Sequence, residues 1–235
     1  MRGAGGAGGP VTGAMVGAIL AFAAPLRGQA PPPPVIDVHL HSVPASFQGP
    51  PPLGMCVPLG DVPAWDPADP WPAVFMRVMK DPPCSDPVWS PTTDDSLRTR
   101  TLEILERRNV IGVTSGPPEM VQTWREAAPD RIIPGVLMNV ASTGISPDSL
   151  RALHAAGRLS VLGEVGNQYA GLAPGDPAFR PYLALAEELD LPVGIHMGPG
   201  PPGAPYLGFS DYRARLHSPL LLEDVLLTHP ALRVY

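Results

Sequence analysis

The chain has 235 residues, a formal net charge of −6 and no long run of lysine or arginine. This length suits one large domain or two small ones, and the mildly acidic balance argues against nucleic acid as a partner. The 25 glycines and 34 prolines are concentrated at the N-terminus, in residues 42–92 and in residues 198–205. Apolar runs and amphipathic segments elsewhere predict a real hydrophobic core.

The N-terminus has the pattern of an export signal. Arg2 supplies a positive start, residues 11–24 are largely apolar, and Ala21-Phe22-Ala23 offers small residues for cleavage. We expect residues 1–23 to be a signal peptide and residues 24–34 a stiff proline-rich linker. The apolar run is short for a membrane span, so we predict an exported, periplasmic or extracellular protein with no stable membrane association after cleavage. A Gly/Ala leader and an uncleaved anchor are the alternatives.

A short apolar run, Val35–His41, ends in two histidines one residue apart. Side chains alternate along a strand, so His39 and His41 project to one side, with Asp37 on that side. Two imidazoles at the end of a buried strand form half of a metal site. The motif is short by itself, so the prediction depends on the rest of the chain.

A long irregular segment, residues 42–92, follows this strand and could cover the histidines. We expect mostly loop, with one short helix near residues 72–79. Cys56 and Cys84 both lie in this segment, and an even pair in an exported protein suggests a disulfide. Two free thiols are the alternative.

From residue 93 onward the pattern alternates between helices and strands. Capping side chains precede prolines at Ser146-Pro147, Asp176-Pro177 and Ser218-Pro219, which predicts helix starts there. The predicted helices are 93–108, 118–128, 147–156, 177–189 and 219–227, and the predicted strands are 110–113, 132–138, 159–165, 192–197 and the beginning of one at 232–235.

This alternation implies right-handed βαβ units and a parallel sheet. A doubly wound sheet and a β/α barrel both fit it. Six strands are counted, the last only begun, whereas a complete barrel has eight strands and typically about 250 residues. We predict that residues 35–235 form a partial (β/α)8 TIM-type barrel of about the first five to six βα units, with residues 42–92 as an insert.

Both architectures place functional groups at the carboxyl ends of their strands. Glu164 ends the fourth predicted strand and His196 ends the fifth, while His39 and His41 end the first. Charged groups and imidazoles rarely end buried apolar strands without a partner. Three strands therefore deliver metal-ligand residue types to one rim, which predicts a metal site.

Three motifs, Ile36-Asp37-Val38-His39-Leu40-His41, Gly163-Glu164-Val165-Gly166 and Pro192-Val193-Gly194-Ile195-His196, together resemble the metal-dependent amidohydrolase superfamily, above all its branch of amidohydrolase-related hydrolases and decarboxylases. The resemblance implies a (β/α)8 barrel with one or two divalent ions. It implies that His39 and His41 bind the first ion and that His196 joins them or binds a second. Glu164 matches the position of a metal-bridging carboxylate in some relatives, such as TatD-type nucleases, and other branches have no ligand there.

The same resemblance implies a histidine at the end of strand six and a proton-transferring aspartate at the end of strand eight. Neither lies within the sequence, which stops at Tyr235 inside the sixth predicted strand. We therefore expect the catalytic aspartate beyond Tyr235 and the chain to be a fragment of a longer enzyme.

The implied activity is hydrolysis of an amide, ester or lactone bond in a small-molecule substrate by metal-activated water. Histidine and carboxylate ligands favour zinc, with manganese or iron as alternatives. A non-oxidative decarboxylase on the same fold is one alternative function. An inactive, truncated copy that exposes an open sheet edge is another. The oligomeric state stays open, a homo-oligomer included.

Two further residues are candidates for substrate contact. Tyr169 follows Glu164 closely, and Arg213 lies in the loop after the fifth strand, where a guanidinium could hold a substrate carboxylate. A solvated loop is the alternative for Arg213. His217 lies in the same loop, whereas His154 is expected on an outer helix and His229 at the opposite rim.

Overall fold

The computed structural model describes residue 9 and residues 32–57, 66, 68–142, 144–198 and 200–235. Apart from Gly9, the predicted signal peptide lies outside the described residues, as do residues 24–31 of the predicted linker. All the elements below belong to the unit Pro33–Tyr235. Within the described part of the chain, no helix is both long and apolar enough to cross a membrane.

The described residues form an α/β structure with parallel strands and six α-helices. The strands are β1 (Val35–His41), β2 (Gly54–Met55), β3 (Val88–Trp89), β4 (Val110–Ser115), β5 (Ile132–Pro134), β6 (Leu162–Val165) and β7 (Val193–Ile195). The helices are α1 (Trp71–Lys80), α2 (Asp94–Arg108), α3 (Pro118–Ala127), α4 (Pro147–Ala155), α5 (Arg180–Glu188) and α6 (Glu223–Thr228). Four short 3-10 turns cover Asn167–Ala170, Ala204–Leu207, Ala214–His217 and Pro219–Leu222.

The parallel strands follow one another in chain order. β1 pairs with β4, β4 pairs with β5, and β6 pairs with β7, all in parallel. A parallel bridge between Met138 and Val165 connects the β5 side to β6, and another between Val193 and Val234 adds the end of the chain to β7. The order does not reverse about β1, unlike the order of a doubly wound sheet.

β1 is less buried than its apolar sequence predicts. Val35, Ile36 and Val38 are 64%, 56% and 51% exposed, so the expectation that the histidines end a buried strand is wrong. The physical reason is that, among the described residues, β1 has hydrogen-bonded pairing with β4 only. A strand with one neighbour keeps one edge and much of its side-chain surface in solvent.

Helix starts were predicted well where a side chain caps the helix. Thr93 accepts a hydrogen bond from the Ser96 N–H at the start of α2, and Ser146 accepts one from the Ser149 N–H at the start of α4. The start predicted at Pro177 is wrong, because Asp176 instead accepts the Ala178 N–H in a turn and α5 begins at Arg180.

Other predicted elements also differ from the structure in extent, among them the strand predicted over residues 192–197, which is regular only over β7. The strand predicted over residues 132–138 is regular only over β5, and Met138 pairs separately with Val165. The strand predicted over residues 159–165 is regular only over β6. The helix predicted over residues 219–227 is a 3-10 turn followed by α6.

The main core lies beneath the second half of the sheet, where β6 and β7 pack against α4 and α5. Its most deeply buried side chains include Leu162, Val165, Phe179, Leu183 and Val193, each at most 1% exposed. A smaller cluster joins α2, α3 and β5. The part of the sheet that carries Glu164 and precedes His196 therefore lies over the larger of these two hydrophobic clusters of the described residues.

The insert between β1 and α2 has more structure than the predicted single helix. It contains α1, and β2 and β3 pair in an antiparallel hairpin. Cys56 and Cys84 form a disulfide across 28 residues of this segment. The Trp71 indole N–H donates to the Pro202 carbonyl oxygen at 2.9 Å, which fastens the insert to the loop that follows β7.

Gly116, just after β4, provides a test of the close contact between the ends of β1 and β4. A Cβ at this position would lie 2.0 Å from the main-chain oxygen of Ser42. We expect Gly116→Ala to lower the free energy of unfolding by about 1–3 kcal/mol, because neither main chain can move without disturbing the strands. Urea denaturation measures this change.

Gly175→Ala is the matched control, because its Cβ would meet only Val225 Cγ2 at 3.7 Å, an ordinary contact. We expect this control to stay within about 0.5 kcal/mol of the wild type. Equal stability of the two variants would contradict the close contact.

Candidate metal centre

Glu164 lies in β6, and three imidazoles contact its carboxylate. His39 Nε2 is 2.8 Å from Oε2, and His41 Nε2 contacts the same oxygen. His196 Nδ1 contacts the other oxygen, Oε1. The structure therefore brings all four predicted metal ligands together around one carboxylate.

The parallel arrangement of the strands explains this convergence. His39 and His41 occupy the end of β1, Glu164 lies near the end of β6, and His196 directly follows β7. In a parallel sheet these ends meet at one rim. Asp37 contacts the main chain of β1, where its Oδ1 accepts the His39 N–H at 2.9 Å. It is not one of the residues whose side chains could hold a metal ion together.

The ligand atoms of His39, Glu164 and His196 all lie within 4.8 Å of one another, close enough to hold one metal ion. The His39 ring is 5.6 Å from the His196 ring and 4.9 Å from the His41 ring, and both pairs are edge-on. His41 lies outside this three-residue group but reaches the same Glu164 oxygen as His39.

The Glu164 carboxylate is kept ionised by its partners. Burial raises the pKa of Glu164, but the hydrogen bonds from His196 and His41 and the charges of His41 and His39 lower it more. The net result is a pKa well below the usual range of a glutamate. The ionised form is the one that binds a cation.

The site is open on one side and enclosed on the other. The side chains of His39 and His41 are 53% and 36% exposed, whereas those of Glu164 and His196 are 12% and 17% exposed. Within the described residues β1 pairs with β4 only, whereas β6 and β7 lie over the main core.

Tyr169, predicted to contact substrate, lies beside His196. Its hydroxyl is 3.3 Å from His196 Nε2, and its ring centroid is 5.4 Å from that of His196. The neighbouring Gln168 donates its side-chain amide to the His196 carbonyl oxygen at 2.6 Å. The 3-10 turn after β6 therefore contacts His196 at two points.

The loop after β7 brings His217 close but leaves Arg213 apart. The His217 ring is 6.1 Å from the His196 ring, and burial followed by the charge of His196 lowers the pKa of His217. Arg213 is exposed and donates to the main-chain oxygens of Ser210 and Tyr212 in its own loop. Within the described part of the chain, Arg213 makes no contact with Glu164.

His154 and His229, which we predicted to lie away from the site, make their contacts elsewhere in the structure. His154 lies on α4, where its Nδ1 is 3.0 Å from the Leu159 carbonyl oxygen. His229 follows α6 and pairs with Glu187 at 2.8 Å. Both positions agree with the sequence-based expectation that neither residue takes part in the site.

Tyr235 is a neighbour of the site that sequence reasoning missed. Its ring occupies the space where a Cβ on Gly194 would lie, within 2.7 Å of that position. Burial and then the charge of Glu164 raise the pKa of Tyr235 to about 12. The signal was present in the predicted strand at residues 232–235, which had to lie next to the strand that leads to His196.

The depressed pKa of Glu164 predicts how the stability of the metal-free protein depends on pH. Because the unfolded chain binds a proton near the ordinary pKa of 4.5 and the folded chain resists it, the stabilisation is complete above that pH and is lost as the pH falls. We expect Glu164→Gln to remove this part of the acid sensitivity. Urea denaturation between about pH 5.5 and pH 3, with chelator present, measures it.

Glu103→Gln, which changes an exposed carboxylate on α2, is the control and should leave the acid slope unchanged. An identical slope for wild type and Glu164→Gln would show that the three imidazoles do not hold the carboxylate ionised.

Comparison with known proteins assigns the chain to a family. A sequence profile of the family described as "Amidohydrolase" matches residues 36–235, which include all of β1 except Val35 and the three residues that could hold a metal ion. No curated protein matches the chain in a sequence comparison. The match covers most of the chain and agrees with the motifs at His39, Glu164 and His196. The chain therefore belongs to the amidohydrolase superfamily.

Proposed function

We propose that this amidohydrolase is a metal-dependent hydrolase of an amide, ester or lactone bond. The observation that carries the proposal is the convergence of three imidazoles, from His39, His41 and His196, on the Glu164 carboxylate. Enzymes of this family act on small molecules, and the His39 and His41 side chains are partly exposed, so a small molecule can reach them.

We propose His39, His41, Glu164 and His196 as ligands of a divalent ion. Imidazole nitrogen and carboxylate oxygen suit zinc, with manganese and iron as alternatives. The spacing of the ligand atoms and the low pKa of Glu164 support this fit. When bound, such an ion acts as a Lewis acid and lowers the pKa of a bound water to about 7.

The residues of the chain have separate tasks in this proposal. Glu164 and His196, on the packed side of the sheet, hold a fixed half of the site. His39 and His41, whose side chains are more exposed, complete the ligand set. Because Glu164 stays ionised at neutral pH, it serves as a ligand and as a hydrogen-bond acceptor, and it is a poor proton acceptor in the reaction.

We also propose that the parallel strands are part of a TIM-type (β/α)8 barrel, with β1, β4, β5, β6 and β7 as its first five strands. The strand order supports this proposal, since barrel strands follow one another in chain order. So does the position of the centre at the carboxyl ends of the strands, where barrel enzymes carry their active sites.

The proposal further includes export of the protein to the periplasm or the extracellular space. Its support is the signal-like pattern of residues 1–23 together with the disulfide between Cys56 and Cys84, since disulfides persist in oxidising compartments. The fraction in which the mature protein is found, and the mass of its N-terminal peptide, test this part.

Metal content tests the ligand set. We expect His39→Ala and His196→Ala each to lower the zinc affinity at least about tenfold, because each removes a nitrogen from the group of three. Elemental analysis after dialysis against zinc, and competition with a chromogenic chelator, measure the loss.

His154→Ala is the control. It removes an imidazole on α4 that is hydrogen-bonded to the Leu159 carbonyl oxygen and is not one of the residues that could hold the metal ion. Equal metal in His39→Ala, His154→Ala and wild type would refute the centre.

The reaction itself is tested with panels of aryl esters, lactones and anilides. We expect hydrolysis that requires zinc, survives His154→Ala and is lost in His39→Ala. Release of carbon dioxide from carboxylic acids, without any hydrolysis, would assign the protein to the decarboxylases instead.

A further inference from the structure

We propose that Tyr169 is a positioning residue that holds the Nε2 side of His196 and thereby directs Nδ1 toward Glu164 and the metal ion. The inference rests on the metal site proposed above and extends it to a residue outside the ligand set. It also changes the role predicted for Tyr169 from substrate contact to orientation of a ligand.

His196 is held at four points. Its main-chain N–H donates to the Val165 carbonyl oxygen at 3.0 Å, and its own carbonyl oxygen accepts the Gln168 side-chain amide at 2.6 Å. Its Nδ1 contacts Glu164, and its Nε2 lies 3.3 Å from the Tyr169 hydroxyl. With both ring nitrogens and both main-chain groups engaged, rotation of the imidazole would break contacts on both sides.

The turn Asn167–Ala170, which carries Gln168 and Tyr169, is itself well fixed. Asn167 and Gln168 are 3% and 2% exposed, and Asn167 Oδ1 accepts the Val140 N–H at 3.0 Å. The Gly166 N–H, at the start of the turn, donates to the Met138 carbonyl oxygen at 2.9 Å. A positioning group must be rigid, and this turn is anchored to the neighbouring part of the sheet.

The Tyr169 ring fits a space that two glycines leave open. A Cβ on Gly200 would lie 2.8 Å from the Tyr169 hydroxyl, and one on Gly166 would lie 3.2 Å from its ring. Phe209 and Tyr212 pack against the ring with centroids 4.8 Å and 5.7 Å away.

A neutral hydroxyl suits this position in either state of the site, because it can both donate and accept. Without metal, His196 Nδ1–H can donate to Glu164, and Nε2 then accepts from the Tyr169 O–H. With metal on Nδ1, the proton sits on Nε2, which then donates to the Tyr169 oxygen. The same contact therefore orients His196 before and after the ion binds, which a phenylalanine cannot do.

The test compares Tyr169→Phe with Tyr182→Phe. Tyr182→Phe is the matched control, because the Tyr182 hydroxyl also makes a 2.8 Å hydrogen bond, to the Ile145 carbonyl oxygen beside α4. We expect Tyr169→Phe to weaken zinc binding about 10- to 100-fold and the control to change it less than about twofold. Chelator competition measures both, with far-UV circular dichroism to verify that each variant is folded.

A second readout works without metal. In 15N-labelled, metal-free protein at fixed pH, long-range 1H–15N correlation resolves the two ring nitrogens of each histidine, and His196→Gln assigns the His196 signals. We expect the Nε2 resonance of His196 to move in Tyr169→Phe and to stay in place in Tyr182→Phe.

The outcomes separate the two proposals. If the wild type binds none of zinc, manganese and iron, the proposed function falls, while the Nε2 resonance still decides whether Tyr169 holds His196. If the wild type binds zinc and Tyr169→Phe binds it equally well, the positioning role is overturned and the metal site stands. An Nε2 resonance that is the same in wild type and Tyr169→Phe also overturns the positioning role.

Discussion

The contact between the Glu164 carboxylate and three imidazoles is the interaction on which the rest of the site depends. A partly buried carboxylate loses hydration, and its loss must be offset by hydrogen bonds and positive partners. Here the partners come from β1 and from the residue after β7. The carboxylate therefore connects β6 to two histidines of β1 that precede it by more than 120 residues. The interactions with the histidines lower the pKa of Glu164, and the ionised carboxylate that results is the form that binds a cation.

The two halves of the centre differ in burial, and the cause lies in the sheet. β6 and β7 lie over the main core, and the turn after β6 adds two contacts to His196. β1 pairs on one side within the described chain and keeps Val35, Ile36 and Val38 largely exposed. The main core therefore supports Glu164 and His196, whereas His39 and His41 lie on the more exposed strand.

Sequence reasoning succeeded where the signal is local. The alternation of helices and strands and the caps at Thr93 and Ser146 follow from patterns within a few residues. The grouping of His39, Glu164 and His196 at one rim follows because each residue lies at or near the end of a locally predicted parallel strand. It failed at Asp176, because an Asp-Pro pair can form a separate turn as readily as a helix start. It also overestimated the burial of β1, because an apolar run does not reveal how many neighbours a strand has.

The sequence by itself determined the identity and the chain order of the candidate ligands and the parallel α/β architecture that gathers them. Only the tertiary structure decided that Nδ1 of His196 faces Glu164 while Nε2 faces Tyr169, and that Tyr235 lies against Gly194. The reason is physical. Strand and helix patterns are set by neighbouring residues, whereas the orientation of an imidazole is set by side chains that meet across the sheet, and no short segment of sequence contains both partners.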